Sequence, residues 1–341
     1  MPQGAPEGSG KHRMTSSFRG SPSGPVRVRV PATSANLGPG FDALGLALSL
    51  HDVVEARIDD AGLSIEVSGE GAGTAEAGER HLVVRAMRET FGLLGGQPPG
   101  IALRCANRIP HGRGLGSSAA AIVSGILAAR ALAGHGAARL PDDAVFRLAA
   151  GMEGHPDNVA ACLAGGLTIA WTAAGEPRMI RLSPVPDVVP VAFVAPEPLA
   201  TEAARRVLPE SVPHADAAAN AGRSALLVAA LTGDPGALLD ATQDFLHQPY
   251  RAGVMPATAD LVRRLREAGV PAVVSGAGPS VLAFMVRQPS ADGAAPHSLE
   301  VLGSSARETG TRWDISVLDV DRQGASIQSM TPGASPADGT P

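Results

Sequence analysis

Hydrophobic and polar residues alternate in VRVRV (Val26–Val30), the first patterned segment of the chain, and this period of two predicts a β-strand. Further strands are predicted at LSIEVSG (Leu63–Gly69) and IALRC (Ile101–Cys105). Later in the chain, GGLTIAW, VAFVAP, PAVV and WDISVLDVD also predict strands. The predicted strands are therefore distributed along the whole chain.

Helical segments separate these strands. RHLVVRAMRETFGLLGG has apolar residues at helical spacing, with Gly95 as a stop. Residues 117–133 are apolar almost all round, which predicts a buried helix. PDDAVFRLAAGMEG opens with Pro and two Asp, which favours a helix start. Helices are also predicted at ATEAARRVL, HADAAANAGRSALLVAALTG, PGALLDATQDFL and PATADLVRRLREAG. Because strands and helices mix without a regular βαβ repeat, the pattern predicts an α+β fold.

A length of 341 residues suits two domains. The Pro-rich stretch LSPVPDVVP predicts the boundary, which gives an N-terminal domain at 26–185 and a C-terminal domain at 186–325. Residues 1–25 and 326–341 are rich in Gly, Pro and Ser and are expected to be disordered tails. Met14 is a second candidate for the first residue.

Composition excludes several classes of protein. The formal net charge is −5 and there is no basic cluster, which argues against a nucleic-acid partner. No apolar run reaches the ~18 residues that span a bilayer, and the N-terminus lacks the apolar segment of a secretory signal. The two cysteines, Cys105 and Cys162, belong to no metal-binding motif and suit a reduced cytoplasm.

Basic residues are almost all arginine, and the only lysine is Lys11, in the predicted N-terminal tail. The folded part therefore has no lysine for a Walker A loop, a protein-kinase strand or a Schiff base. Any phosphate chemistry must rest on backbone N–H groups, arginine and metal.

One candidate for such chemistry is HGRGLGSSAAA (His111–Ala121), which lies between a predicted strand and a buried helix. The first N–H groups of a helix lack intrahelical partners, and glycines let the backbone approach a phosphate closely. This segment alone is equally consistent with a structural turn. Two more glycine-rich segments, at Pro31–Leu48 and Ser275–Ser280, favour the anion site.

Together, these segments resemble the motifs of the GHMP kinase superfamily of small-molecule kinases. The three motifs are PATSANLGPGFDALGLAL, PHGRGLGSSAAA and SGAGPSVLAF. Four stretches resemble the branch whose substrate is L-homoserine, namely SANLGPGFD, EGHPDNVAACLAGGLTI, TEAARRVLP and LHQPYR. The resemblance extends from about Val26 to Val320.

The resemblance implies a two-domain fold with the active site between the domains. The N-terminal, ATP-binding domain would be a two-layer α/β sandwich like a ribosomal-protein domain, and the C-terminal domain would be ferredoxin-like. The implied activity is ATP-dependent phosphorylation of the L-homoserine hydroxyl, a step of threonine biosynthesis in the cytoplasm. The implied assembly is a homodimer.

The resemblance also implies the residues that bind ATP and Mg²⁺. Ser118, with Ser117 as the second choice, would bind Mg²⁺ together with Glu153. The phosphates would be wrapped by Pro110, His111, Gly112, Arg113, Gly114, Leu115, Gly116, Ser117, Ser118, Ala119 and Ala120.

The implied homoserine site has a group for each end of the substrate. The amino group would lie against Asn36 and Asp42, and the carboxylate against Arg205 and Arg251, because guanidinium binds carboxylate in a bidentate manner. Asn158 would bind the hydroxyl and would act with Asn36 and Asp42 as the catalytic set. His155 and Thr201 complete the predicted substrate site.

The hydroxyl-binding position is Asn158 here, whereas other superfamily members have Asp. This difference implies direct phosphoryl transfer without a side-chain base, because such transfer is mostly positioning and charge neutralisation.

Each of these residues also has a purely structural interpretation. Asp42 could cap a turn or a helix, and Arg205 and Arg251 could form salt bridges. Glu153 could be a helix-end carboxylate. His155 could order the HPDN turn, and Thr201 is expected to cap the helix that contains Arg205.

Two alternative functions also stay open. The chain could be another GHMP kinase, acting on mevalonate, a sugar or shikimate. It could instead be an inactive member that only binds ligands. The paired arginines favour a carboxylate substrate, and Asn158 in place of Asp argues against the members that use a base. The complete set of loop glycines with Ser118 favours an active enzyme.

Overall fold

The computed structural model describes residues 24–73, 78–287 and 299–331. Within these ranges the strands form two sheets, one of seven strands and one of four. Helices and antiparallel strands are mixed in both parts of the chain, so the predicted α+β class is confirmed. None of the helices in the same ranges has the length and apolar character needed to cross a membrane.

The seven-stranded sheet begins with the predicted first strand and has the order β11-β1-β2-β4-β3, with β5 joining β2 to β6. β3 and β4 are parallel, and the other neighbours are antiparallel. Its strands are β1 (Val26–Ala35), β2 (Leu44–Ile58), β3 (Leu63–Gly69), β4 (Ile101–Asn107), β5 (Leu167–Ala173), β6 (Glu176–Leu182) and β11 (Ser326–Ser329).

Helices cover one face of this sheet, and their small side chains allow close packing. Gly125 lies so near the first helix that an added Cβ would be 2.5 Å from the Val83 carbonyl oxygen. A chain with 3% aromatic residues thus builds its core from closely packed Ala, Val, Ile and Leu. These helices are α1 (Leu82–Leu93), α2 (Ser117–Leu132), α3 (Gly136–Arg139), α4 (Asp142–Glu153) and α5 (Asp157–Ala164).

The four-stranded sheet has the order β10-β7-β9-β8 and is antiparallel throughout. Its chain order of strand, helices, two strands, helix and strand is that of a ferredoxin-like domain. The strands are β7 (Val188–Val194), β8 (Ala272–Val274), β9 (Val281–Val286) and β10 (Asp314–Val317). The helices are α6 (Thr201–Arg206), α7 (His214–Thr232), α8 (Leu238–Ala241), α9 (Gln248–Arg251), α10 (Pro256–Glu267) and α11 (Leu299–Glu308).

The structure corrects three of the predicted elements. Residues 326–329, predicted to be disordered, form β11 on the outer edge of β1, where Ile327 lies opposite Val28. The helix predicted over 235–246 is limited to a 3₁₀ turn at 235–237 and α8. WDISVLDVD is a strand only over Asp314–Val317, because the following residues cross to the first sheet, where Val320 bridges to Leu48.

Other elements were not predicted, namely β2, β6, β9, α3, α5, α9 and α11. The tail predictions for residues 1–23 and 332–341 lie outside the described residues.

Candidate active site

The three glycine-rich segments, far apart in the sequence, meet in the structure. The Ser275 hydroxyl donates to the Gly114 carbonyl at 2.6 Å and lies 2.8 Å from the Ser34 hydroxyl. The Gly276 amide donates to the Ala35 carbonyl at 3.1 Å. The ends of β1 and β8 and the loop before α2 therefore form one surface, and each contributes backbone to it.

Two glycines of the loop before α2 have no room for a side chain. Gly114 has φ +73° and Gly116 has φ +72°, both in the left-handed region. An added Cβ at Gly114 would collide with the Ser275 carbonyl oxygen, and at Gly116 it would collide with Thr33 Oγ1. Both glycines are thus required by backbone conformation and by close packing.

The N-terminus of α2 has the properties of an anion site. Gly116 is the N-cap of α2, the first turn of the helix contains no acidic residue, and the helix is sixteen residues long. Its first amides lack intrahelical acceptors and are at the positive end of the helix dipole. Gly112, Gly114, Ser117 and Ser118 line a cavity of about 210 Å³ in front of this helix end.

A carboxylate lies beside these serines. The Ser118 hydroxyl donates to Glu153 Oε1 at 2.6 Å, and Glu153 is the last residue of α4. Burial raises the pKa of the Glu153 carboxyl, against the opposing effect of the Ser118 hydrogen bond. The described part of the chain contains no group of three or more His, Cys, Asp or Glu that could hold a metal by itself. This pair could hold a cation only if other ligands, such as phosphate oxygens, completed the coordination.

The HPDN segment (residues 155–158) leads into the first turn of α5, and His155, Asp157 and Asn158 line the same cavity. His155 Nδ1 lies 2.7 Å from Asp157 Oδ1. The same oxygen accepts a 2.7 Å hydrogen bond from the backbone N–H of Asn158. Burial lowers the pKa of His155, but the Asp157 hydrogen bond and charge outweigh it and raise the pKa overall. The Asn158 carboxamide oxygen accepts a 2.8 Å hydrogen bond from the Thr33 hydroxyl.

The far side of the cavity contains two arginines. Arg205 on α6 forms a bidentate pair with Asp42, at 2.7 and 3.1 Å. The Arg251 guanidinium is buried and donates to the Ala204 carbonyl at 3.1 Å. Burial, with the nearby charge of Arg205, lowers the pKa of Arg251 to about 10. Both guanidinium groups lie over the Phe41 ring, at 5.8 Å for Arg205 and 5.4 Å for Arg251.

His247 supports Arg251 from beneath. Its Nε2 lies 2.9 Å from the Gly38 carbonyl oxygen, and its Nδ1 lies 3.0 Å from Arg251 Nη1. Nε2 must carry the proton for the first contact, so Nδ1 accepts from Arg251 and the ring is neutral. Burial lowers the pKa of His247, in agreement with this neutral form.

Most of the predicted site residues line this one cavity. The set that lines it is Asn36, Gly112, Gly114, Gly116, Ser117, Ser118, Glu153, His155, Asn158, Thr201, Arg205 and Arg251. Asp42 is not part of the lining and reaches the cavity through its pair with Arg205. Both ends of the Asn36 side-chain amide are bound within the protein. Its Nδ2 donates to the Gly276 carbonyl, and its Oδ1 accepts from the backbone N–H of Asp42.

The rest of the predicted ATP loop lies outside that lining. Leu115, Ala119 and Ala120 have buried side chains, and the Arg113 side chain bonds to the carbonyls of His111, Ala195 and Pro196. Pro110, the first residue of the predicted ATP loop, lines neither this cavity nor the second one described below. The expected helix cap is wrong: Ala200 is the N-cap of α6 and no side chain caps it, so Thr201 begins the helix.

A second cavity of about 290 Å³ adjoins the loop and shares Ser117 and Ser118 with the first. His111 and Ala120 of the predicted ATP loop line it. Sequence reasoning missed its other polar residues, Asp52, His81, Asn107 and Ser124. These residues come from separate elements and belong to no motif, so the sequence contained no signal for them.

Both parts of the chain match a known class of protein. The N-terminal domain model of the GHMP kinases matches residues 80–166, and the C-terminal domain model of the GHMP kinases matches residues 226–295. A structure of homoserine kinase from Cytophaga hutchinsonii is 26% identical, with a TM-score of 0.75 over 90% of this chain and 98% of that one. The fold and the site therefore define a GHMP kinase.

Closer relatives identify the family within this class. Homoserine kinase of Streptomyces coelicolor is 57% identical over 302 residues, which cover 89% of this chain and 94% of the relative. Homoserine kinase of Streptomyces avermitilis is 56% identical over 89% of this chain and 95% of the relative. The chain belongs to the homoserine kinase family of the GHMP kinases, and the family resemblance predicted from the motifs is confirmed.

Proposed function

We propose that this chain transfers the γ-phosphoryl group of ATP to the hydroxyl of L-homoserine and forms O-phospho-L-homoserine for threonine biosynthesis. A single observation carries the proposal. One cavity is lined by the α2 phosphate loop, by Asn158 and by two arginines suited to a carboxylate. The names of the close relatives support the same reaction.

ATP would lie across the two adjoining cavities. Its phosphates would bind the N–H groups at the start of α2, and its nucleoside would enter the second cavity beyond Ser117 and Ser118. The Ser118 hydroxyl and Glu153 carboxylate fit Mg²⁺, which prefers oxygen ligands and is usually bound by few protein groups together with substrate phosphates. When bound, Mg²⁺ would neutralise charge on the phosphates.

Homoserine would bind beside Phe41. A zwitterion can substitute for the internal Arg205–Asp42 contact by placing its ammonium group at Asp42 and its carboxylate at Arg205. Arg251 offers a second, buried cation to the same carboxylate. Asn36 closes the loop that presents Asp42, because its carboxamide oxygen accepts the Asp42 amide at 2.9 Å. His155 and Thr201 complete the wall of the cavity.

Transfer would be direct. The substrate hydroxyl oxygen bonds to the γ-phosphorus, the bond from that phosphorus to the bridging oxygen breaks, and ADP leaves. The hydroxyl proton passes to an oxygen of the transferred group. Asn158 holds the hydroxyl in line, and a neutral amide there adds no negative charge beside the phosphates.

Mevalonate, a sugar or shikimate as the acceptor is the competing proposal within the class. Steady-state ADP release with Mg-ATP and homoserine, mevalonate, galactose or shikimate would test it. We expect turnover with homoserine alone. Equal or faster turnover with another acceptor would contradict the proposal, and no turnover with any would favour an inactive, ligand-binding member.

Asn158→Asp tests direct transfer. A general base contributes about 10²–10⁴-fold where a mechanism uses one. A carboxylate here would instead place negative charge near the γ-phosphate, so we expect kcat to be unchanged or lower between pH 6 and 9. Asn158→Ala, the control, should lose activity because the hydroxyl is no longer oriented. A gain of tenfold or more in the Asp variant would show that proton removal limits the reaction.

We also propose that the chain divides into its two domains between residues 185 and 186. We propose that the protein is a homodimer that works in the cytoplasm, with no nucleic acid or membrane as partner. The change of sheet between β6 and β7 supports the division. The dimer rests on the family resemblance, and light scattering after size-exclusion chromatography would give the mass. A single-chain mass of 34.4 kDa at working concentration would contradict it.

A further inference from the structure

A buried hydroxyl determines how the Asn158 amide faces the cavity. Thr33 lies in β1, is 0% exposed, and donates to Asn158 Oδ1 at 2.8 Å. Asn158 is 9% exposed and lines the cavity. The two residues are 125 positions apart in the sequence, so only the packing of α5 on β1 brings them together.

The contact leaves one polar atom of the amide for a ligand. An amide has an acceptor end and a donor end, and Thr33 occupies the acceptor end, Oδ1. Asn158 Nδ2 has no hydrogen-bond partner among the residues of the described ranges. A ligand hydroxyl at Asn158 therefore meets an N–H donor, which binds a lone pair of its oxygen and leaves its proton directed elsewhere.

Thr33 also contacts the phosphate loop. Its backbone N–H donates to the Leu115 carbonyl at 3.0 Å, one residue before the N-cap of α2. Its side chain occupies the space that a Cβ on Gly116 would need. One buried residue thus touches both the loop for the phosphoryl donor and the amide for the acceptor.

We propose that Thr33 is a positioning residue for phosphoryl transfer. Its hydroxyl holds the Asn158 amide with Nδ2 towards the acceptor hydroxyl, and its backbone fixes that amide relative to the phosphate loop. The inference rests on the proposed function, because it takes the acceptor hydroxyl to bind at Asn158. It adds a residue that does not touch substrate and acts through Asn158.

A double-mutant cycle tests the proposal. The variants are Thr33→Val, which replaces the hydroxyl by a methyl group of similar size, Asn158→Ala, and the two combined. Thr33→Ser keeps the hydroxyl and is the matched control. The measurements are kcat and KM for homoserine at saturating Mg-ATP, the Kd of Mg-ATP, and thermal unfolding of each variant.

The proposal predicts a specific pattern. Loss of a neutral hydrogen bond should lower kcat in Thr33→Val by about five- to tenfold, with the Kd of Mg-ATP within about twofold. Thr33→Ser should stay within about threefold of wild type. Asn158→Ala should lose at least about tenfold, and adding Thr33→Val to it should cost nothing further, because the amide that Thr33 orients is gone.

Different failures overturn different claims. Wild-type kcat in Thr33→Val, or losses that multiply in the double variant, would overturn the positioning role and leave the proposed function standing. Wild-type kcat in Asn158→Ala would overturn the hydroxyl site on which both rest. If Thr33→Val does not fold, Thr33→Cys takes its place in the cycle, because a thiol is only a weak donor.

Discussion

Arg251 places a charge where water hardly reaches. Its side chain is 1% exposed, and its hydrogen bonds go to the Ala204 and Gly276 carbonyls and to neutral His247 rather than to any carboxylate of the described chain. Burial of a cation without an anionic partner is costly, and the lowered pKa of Arg251 expresses that cost. A bound carboxylate would relieve it, so this residue suits a substrate anion better than a structural salt bridge.

Arg251→Leu should therefore affect one substrate. A hydrogen bond to a charged group contributes about 1.5–3 kcal/mol, so we expect KM for homoserine to rise about ten- to a hundredfold and KM for ATP to stay within about twofold. Arg206→Leu, on the exposed side of α6, is the control and should change neither. Equal increases for both substrates would place Arg251 away from the carboxylate.

At the scale of elements, the start of α2 requires a glycine for two separate reasons. Gly116 has φ +72°, and its missing Cβ leaves room for Thr33. The conformation alone costs an L-residue about 1–2 kcal/mol, and the collision must also displace the loop or β1. The amides that face the cavity depend on this close packing.

Gly116→Ala should raise KM for ATP by at least about tenfold, because the displaced loop no longer presents its N–H groups together. Gly175→Ala is the matched control. Gly175 has φ +79° in the turn between β5 and β6, with no atom within 4 Å of an added Cβ. The control should lose similar backbone stability and keep wild-type kinetics. Wild-type ATP affinity in Gly116→Ala would refute the phosphate-binding role of the loop before α2.

At the scale of the whole molecule, the chain returns to its first sheet after building the second. Asp321 anchors this return, because Oδ2 lies 2.6 Å from His51 Nε2 and Oδ1 accepts the amides of Gln323 and Gly324. Burial opposes the charge, but the His51 and amide hydrogen bonds outweigh it and lower the pKa of Asp321. β11 then pairs with β1, which contains Thr33.

Asp321→Ala should reduce the free energy of unfolding by about 1–3 kcal/mol, because buried donors lose their acceptor. Asp319→Ala, which removes only an exposed pair with Arg287, should cost less than about 1 kcal/mol. Urea denaturation measures the free energy of unfolding of both variants.

The pKa of Asp321 in the folded protein is below the usual 3.8, so the charge of Asp321 stabilises the folded state above that pH. This contribution to stability is lost as pH falls through the folded pKa. The difference in the free energy of unfolding between wild type and Asp321→Ala should therefore narrow there. Equal losses of unfolding free energy in Asp321→Ala and Asp319→Ala at neutral pH would refute the anchoring role of Asp321.

Prediction from sequence succeeded where the cause is local. α2 was predicted within a residue of its observed ends because an apolar run after a glycine loop needs no distant partner to be recognised. It failed for the helix over 235–246 and for β11. A strand of four residues with the same composition as a tail becomes a strand only when an edge such as β1 is available to pair with it.

The amino-acid sequence by itself determined the α+β class, the family, and the glycines at which the backbone must turn or approach closely. The class follows from side-chain period and the glycines from the missing Cβ, which act over a few residues, whereas the family follows from the resemblance of the three motifs. The tertiary structure alone decided which groups share the site. The Thr33–Asn158 hydrogen bond, the neutral His247 beneath Arg251 and the cavity containing Asp52 join residues from different elements. Their chemistry arises from packing, which sets distance, burial and hydrogen-bond direction, and no sequence pattern encodes these locally.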